Sequence, residues 1–179
     1  MPLIHDIRDA FTAAEADALI ALAGAGPSEA GPVWGEGGYR VDPEYRNVAT
    51  ALRTRDEAGW AFDRLDAVFR GAGAALGVSV RPLTEPVQIL RYDVGCHFRT
   101  WHSDAGYDRG AGRVLSVSVE LSEPGDYDGG LLEIVPDTVG RPRSLPRGGA
   151  RFFPSRALHR LTPVTRGTRW ALVAWTGGG

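Results

Sequence analysis

The stretch Tyr92-Asp-Val-Gly-Cys-His-Phe-Arg-Thr-Trp-His-Ser-Asp104 decides how this chain is read. It closes on His102-Ser103-Asp104, and in an extended strand residues two apart project from the same side of a sheet. The imidazole and the carboxylate therefore emerge together and supply one edge of a metal site. A third donor must come from elsewhere in the chain. His159, in Ala157-Leu-His-Arg-Leu-Thr-Pro-Val164, is the candidate. Two histidines and a carboxylate form the facial donor set that leaves positions open on a non-haem Fe(II) ion.

The same parity sorts the neighbouring residues. Phe98 and Thr100 share the face of His102 and Asp104, whereas His97 falls on the other face and is expected at the surface. His5 has no partner within reach of such an argument. Beyond His159, Pro163-Val164 is followed by Gly167-Thr-Arg169-Trp170. Two adjacent strands joined by a short turn bring position 169 back beside 159, and a guanidinium there offers a planar fork of donors matched to a carboxylate. A metal centre backed by a buried arginine invites a dicarboxylate.

From about Val80 apolar residues alternate with polar ones, and turn signals punctuate short runs to the C-terminus. Strands are expected at about 86–93, 96–104, 112–121, 129–136, 141–145, 149–153, 157–164 and 167–176, with breaks such as Gly95, Pro124-Gly125 and Gly148-Gly149. Short strands at this number and spacing make a jelly roll, that is, a double-stranded β-helix. Ahead of them, Thr12-Ala-Ala-Glu15 and Thr54-Arg-Asp-Glu57 are capping boxes, each opening a helix. The first helix runs to about Ala23, with Leu19, Ile20 and Ala23 on one face. In the second, Ala61, Leu65, Val68, Phe69, Ala72 and Leu76 form a core stripe and Gly77 ends it.

The fold class is therefore mainly β with flanking helices, the two N-terminal helices packed on the major sheet. One domain is expected over residues 1–179, with helical support over about 1–80 and a jelly-roll core over about 86–177. Residues 26–52, rich in Gly and Pro, read as irregular, either an ordered binding loop or a surface connection.

Composition narrows the function. The formal net charge is −2, arginine carries the positive charge, and no basic stripe marks a nucleic-acid surface. The first residues lack a basic and apolar leader, and no apolar run is long enough for a bilayer, so a cytoplasmic location without membrane association is expected. Cys96 is the single cysteine, which excludes an internal disulfide and a thiolate metal cluster. Oligomeric state is not legible from these features.

Three blocks then stand out in order. They are Tyr92-x-x-Gly95-x-x-Phe98-x-x-x-His102-x-Asp104, Leu115-Ser-Val-Ser-Val-Glu-Leu-Ser-Glu-Pro-Gly-Asp-Tyr-Asp-Gly-Gly-Leu131, and Phe153-Pro-Ser-Arg-Ala-Leu-His159 continuing to Arg169-Trp-Ala-Leu-Val-Ala-Trp175. Across roughly Val87 to Gly177 the chain resembles the Fe(II)/2-oxoglutarate-dependent dioxygenases, in their prolyl/lysyl hydroxylase-like (prolyl 4-hydroxylase-type) branch. The resemblance implies that His102, Asp104 and His159 hold Fe(II), and that Arg169 pairs with the distal carboxylate of 2-oxoglutarate, whose keto-acid end chelates the iron. It implies that Tyr92 lines the cosubstrate pocket and that Trp175, on the strand face of Arg169, forms part of the inner wall.

At one position the chain departs from the pattern. Many relatives carry a tyrosine on the third strand that helps hold the distal carboxylate, and Glu120 stands there, with Ser116 and Ser118 on its face. A carboxylate at that point repels the cosubstrate unless Arg169 or another cation intervenes. Either Glu120 turns away, the alignment slips, or the two serines take over the hydrogen bonding.

The implied reaction is hydroxylation of an unactivated C–H bond with release of succinate and CO2, stimulated by ascorbate. Asp104 favours this outcome over halogenation, for which relatives replace the carboxylate with a small residue. The implied substrate is a prolyl or other peptidyl residue, with a free amino acid or natural product as the alternative. Residues 26–52 and 105–112 are expected to select it, and Arg40, Arg46, Tyr107, Arg109 and Arg113 lie in or beside them. A cupin dioxygenase would need a richer histidine set than this chain offers near His102. A binding module without turnover would not require the intact triad with Arg169.

Overall fold

Two reciprocal capping interactions set the helical part of the fold. A computed structural model of the chain describes residues 4–24, 29–30, 33–35, 38–106, 112–135 and 144–179. The Thr12 N–H donates to Glu15 at 2.7 Å and the Glu15 N–H returns to the Thr12 hydroxyl at 3.2 Å, which opens α1 (Ala13–Gly24). Glu57 accepts from both the N–H and the hydroxyl of Thr54, each at 2.8 Å, which opens α2 (Arg55–Leu76). Gly77 ends α2 at φ 67°, a left-handed conformation that side-chain-bearing residues enter only at a cost. The last turn of α1 carries no basic residue of its own. Arg53 supplies the charge from outside, donating from Nε to the Leu22 carbonyl at 2.9 Å and from Nη2 to the carbonyls of Leu22 and Ala23 at 2.5 and 3.3 Å. The negative end of the helix dipole is thereby capped.

In chain order the strands are β1 (His5–Ile7), β2 (Glu29–Ala30), β3 (Val33–Gly35), β4 (Gly38–Arg40), β5 (Ala49–Arg53), β6 (Val87–Tyr92) and β7 (Phe98–His102). They continue with β8 (Arg113–Glu120), β9 (Tyr127–Gly129), β10 (Leu132–Ile134), β11 (Ala150–Pro154), β12 (His159–Leu161), β13 (Val164–Gly167) and β14 (Arg169–Gly177). The major sheet has the order β1-β11-β8-β14-β6-β5-β2, a second sheet has the order β10-β12-β7, and β13 pairs with β9. From β6 onward successive strands switch between sheets, so the chain winds back and forth across the space between them. The result is a mainly β protein with two helices.

Several expected boundaries move. The segment 26–52, read as irregular, contributes β5, paired in register with β6 from Ala49↔Arg91 to Arg53↔Val87. Its sequence, Ala-Thr-Ala-Leu-Arg, has little β-propensity; pairing with a buried neighbour overrides that preference. The expected strand 129–136 is cut by Gly129 and Gly130, both at positive φ (74° and 56°), which separate β9 from β10. The expected strand 157–164 stops at Leu161, and Val164–Gly167 turns to β9 instead. Most of the expected strand 141–145 lies outside the described residues. His97 is a further correction: it is only 5 % exposed, and its backbone is paired with Asn47 through two hydrogen bonds of 2.9 Å.

One apolar cluster gathers Leu19 from α1, Phe62, Leu65 and Phe69 from α2, and Val87, Ile89, Leu115, Val117, Val119, Phe152 and Leu172 from the major sheet. Phe69 meets Phe152 edge-on at 5.1 Å. Each such side chain contributes roughly 1.5–3 kcal/mol through burial. The alternation of β8 places Leu115, Val117 and Val119 in this cluster and turns Ser116, Ser118 and Glu120 to the other face of the sheet. Among the described residues no helix is long and apolar enough to cross a membrane.

Candidate metal centre

His102 on β7 and His159 on β12 are directly opposed in register. Strand pairing alone therefore brings two imidazoles together, with ring centroids 4.2 Å apart. Each Nδ1 lies 3.0 Å from the carbonyl two residues earlier, Thr100 for His102 and Ala157 for His159. That contact holds the proton on Nδ1 and leaves the Nε2 lone pair for a metal. The His102 ring also stacks on Phe98 at 3.5 Å. Burial first, and then the adjacent His159, push the His102 pKa down to about 3, so the ring is neutral at ordinary pH.

Asp104 lies just beyond the end of β7 and is held by the opposite side of the cavity. Its N–H and that of Ala105 donate to the Ser155 carbonyl at 2.9 and 3.0 Å, and the Ser155 N–H donates to Val114 at 3.0 Å. The Ser116 hydroxyl donates to Asp104 Oδ2 at 2.7 Å and meets the Ser155 hydroxyl at 2.9 Å. Asp104 Oδ2 stands 3.5 Å from His159 Nε2. Burial alone would raise the Asp104 pKa, but the two imidazoles, the Ser116 hydroxyl and the Trp175 indole hold it below the usual carboxylate range. One ligand atom from each of His102, Asp104 and His159 fits within 4.8 Å of the others. Two neutral imidazoles and a carboxylate are a donor set suited to a divalent first-row metal with positions to spare.

The triad opens on a cavity of about 1260 Å³ that also reaches Tyr92, Ser118, Arg113, Trp175 and Arg169. Its floor is the inner face of the major sheet, where Leu90, Ala171 and Val173 present an apolar middle. Arg113 is paired with Glu85 through Nε at 2.9 Å and through Nη2, and its guanidinium lies 3.9 Å over the Trp175 ring. Arg169, 4 % exposed, faces Tyr92 in register, and its guanidinium lies 5.8 Å from the Tyr92 ring. Of the sequence candidates, Tyr107 lies outside the described residues.

Glu120 does not turn away. Its Oε2 accepts from Arg169 Nε at 3.0 Å and from the Tyr127 hydroxyl at 3.0 Å, and Arg169 Nη2 stands 2.9 Å away in the same ion pair. It lines a small pocket on the far side of Arg169, with Tyr127, Gly130, Ser144 and Arg151; that pocket shares Ser118, Leu132 and Arg169 with the large cavity, whose lining does not include Glu120. Burial lowers the charge preference of Arg169, but Glu120 outweighs it and the arginine pKa is raised. Tyr127 and Ser155 escaped the sequence reading, although both sit inside the blocks quoted above. Nothing local to either residue signals its distant partner, Glu120 for Tyr127 and Ser116 for Ser155. Arg46, expected with the substrate-selecting segments, is 8 % exposed, lines the cavity, and donates to Gln88 at 3.0 Å.

Comparison with known proteins adds an independent line. No family model matches the chain. A PKHD-type hydroxylase of Paracoccus denitrificans is 34 % identical over 157 residues, covering 81 % of this chain and 67 % of the relative. A PKHD-type hydroxylase of Paraburkholderia phymatum is 33 % identical over 186 residues, covering 97 % and 78 %. With other PKHD-type hydroxylases the match spans less than half of the relative's length. Among solved structures, a prolyl hydroxylase from Trichoplax adhaerens, in complex with a hypoxia inducible factor peptide fragment, superposes with a TM-score of 0.75. It is 17 % identical and the match covers 98 % of this chain and 84 % of that one, a likeness of fold.

Proposed function

The chain belongs to the PKHD-type hydroxylases, and on that premise we propose that it is an Fe(II)- and 2-oxoglutarate-dependent dioxygenase hydroxylating a C–H bond of a prolyl or other peptidyl residue. The observation that carries this reading is that His102, Asp104, His159 and Arg169 border one cavity. When bound, the iron supplies oxygen activation coupled to decarboxylation of 2-oxoglutarate to succinate and CO2. His102, Asp104 and His159 hold it, with Ser116 and Trp175 fixing the orientation of Asp104. Arg169 receives the distal carboxylate of the cosubstrate, and Tyr92 and Ser118 form the walls on either side. The apolar floor keeps water from the reacting centre. The two helices brace the major sheet from behind, so that β6, β8 and β14 present their inner residues without yielding.

The cavity exceeds what 2-oxoglutarate alone fills. Trp101, Leu158 and Leu52 line the part remaining for substrate, and Leu52 and Leu158 are 51 % and 47 % exposed. The peptide bound by the Trichoplax relative supports a peptidyl substrate here. Anaerobic addition of Fe(II) and then 2-oxoglutarate should produce the visible charge-transfer band of a keto-acid chelate. His102→Ala should abolish the band. Arg169→Ala should retain iron and demand far more 2-oxoglutarate. A wild-type protein that takes up iron and never develops the band overturns the assignment. Succinate release stimulated by one class of peptide, assayed with ascorbate present, identifies the substrate.

A further inference from the structure

Glu120 is a buried acid placed on the very arginine that the proposed reaction needs, and the geometry bears on how the two anions coexist. Its Oε2 already takes hydrogen bonds from Arg169 Nε and the Tyr127 hydroxyl and is ion-paired with Arg169 Nη2 at 2.9 Å. Its Oε1 has a single long contact, 3.4 Å, from the Ser122 N–H, and is the oxygen with room for a proton. Arg169 is 4 % exposed and its stem is closely packed. Gly130 packs so closely that even a Cβ there would stand 3.0 Å from Arg169 Cδ. Arg169 lines both the large cavity and the small pocket, whereas Glu120 lines only the small, rear one. A distal carboxylate arriving from the front must therefore share one buried cation with Glu120.

When two carboxylates share one desolvated cation, the second anion raises the affinity of the first for a proton. Resting on the cosubstrate reading above, we infer that Glu120 is a positioning residue of the cosubstrate site that takes up one proton from solvent when 2-oxoglutarate binds. In that state Glu120 keeps Arg169 in place from behind while leaving its positive charge to the cosubstrate. The charged and titratable groups around it are Arg169 on β14, Tyr127 on β9 and, across the rear pocket, Arg151 on β11, which pairs with Asp6 of β1 through two contacts of 2.8 Å. Arg46 lies beyond Tyr92, where its charge is felt by Asp104. Burial already raises the Glu120 pKa above its ordinary value against the pull of Arg169. A further anion extends that rise. Affinity then falls as pH climbs from the pKa of Glu120 in the free protein to its pKa in the complex, by up to ~10-fold per pH unit.

The test is calorimetric titration of the Mn(II)-saturated full chain with 2-oxoglutarate. It is run in two buffers of different ionisation enthalpy and repeated across pH from ~6 to ~9, so that protons taken up per ligand are counted. Uptake approaching one proton is expected within the window where affinity falls. 2-Oxopentanoate, which keeps the keto acid and lacks the distal carboxylate, should bind with no uptake. Glu120→Gln should show none with 2-oxoglutarate and a flat pH profile. Binding of 2-oxoglutarate without proton uptake at any pH overturns the role of Glu120 and leaves the cosubstrate reading standing, as does equal uptake with 2-oxopentanoate. Failure of the metal-loaded wild-type protein to bind 2-oxoglutarate overturns both. The comparison of the two keto acids uses the unaltered protein, so the result does not depend on the variant folding.

Discussion

Ser116 shows how much one side chain decides at this site. Its hydroxyl fixes Asp104 Oδ2 at 2.7 Å and is itself met by the Ser155 hydroxyl at 2.9 Å. Ser116→Ala should weaken Mn(II) affinity about 10–100-fold, as outer-shell losses do. Competition against a chromophoric chelator measures it, with unchanged circular dichroism excluding a folding defect. Tyr127→Phe removes a donor from buried Glu120 and should cost about 1–3 kcal/mol of stability by denaturant unfolding. At this scale the sequence was legible wherever strand parity applied. His102 with Asp104, and Ser116, Ser118 and Glu120 together, each fall on one face as period two requires. Parity says which face a residue takes and nothing of what covers that face. His97 departs from the expectation for this reason: it is buried, its backbone paired with Asn47 from a segment with no strand signature.

Elements carry the next set of consequences. The Gly129-Gly130 break divides two strands and also sets the clearance around Arg169 Cδ. Gly130→Ala should strain a backbone at φ 56° and push against Arg169 and Val164. The expected result is a several-fold rise in the 2-oxoglutarate concentration needed for half-saturation, larger than any loss in metal affinity. Arg53 ties β5 to the end of α1, and Arg53→Met should destabilise the protein by about 1.5–3 kcal/mol, the range for charged hydrogen bonds, seen as a lower denaturant midpoint. Glu57 illustrates a pH effect whose sign is fixed. Its pKa is lowered by the Thr54 backbone N–H and hydroxyl, so the cap contributes above the ordinary 4.5 and is lost as pH falls through the lowered value. Helix starts were legible because capping boxes are local patterns. β5 was not, because its reason to be a strand lies in β6, 38 positions away by the Ala51↔Ile89 pairing.

At the scale of the whole molecule, the site is a seam between sheets. His102 and His159 belong to the second sheet, whereas Asp104 is fastened to Ser116 of the major sheet and to Ser155, just after β11. A ligand that engages both sides binds only the folded state, so saturating Mn(II) with 2-oxoglutarate should raise the melting temperature. At a hundredfold excess over the dissociation constant the gain is about 2.7 kcal/mol. The gain from Mn(II) should vanish in Asp104→Ala. The separation of the donors in sequence, 102 and 104 against 159, is also why no single window of the chain announces a complete site.

The backbone bonds from Asp104 and Ala105 to the Ser155 carbonyl are the latch on that seam. They connect stretches some fifty positions apart in the chain and join the end of β7 to the end of β11. An ion seated beside them would act as a rivet. Hydrogen–deuterium exchange at the amides of Asp104 and Ala105 should therefore slow on metal loading far more than exchange in the ladder of β8 and β14, whose protection is already complete.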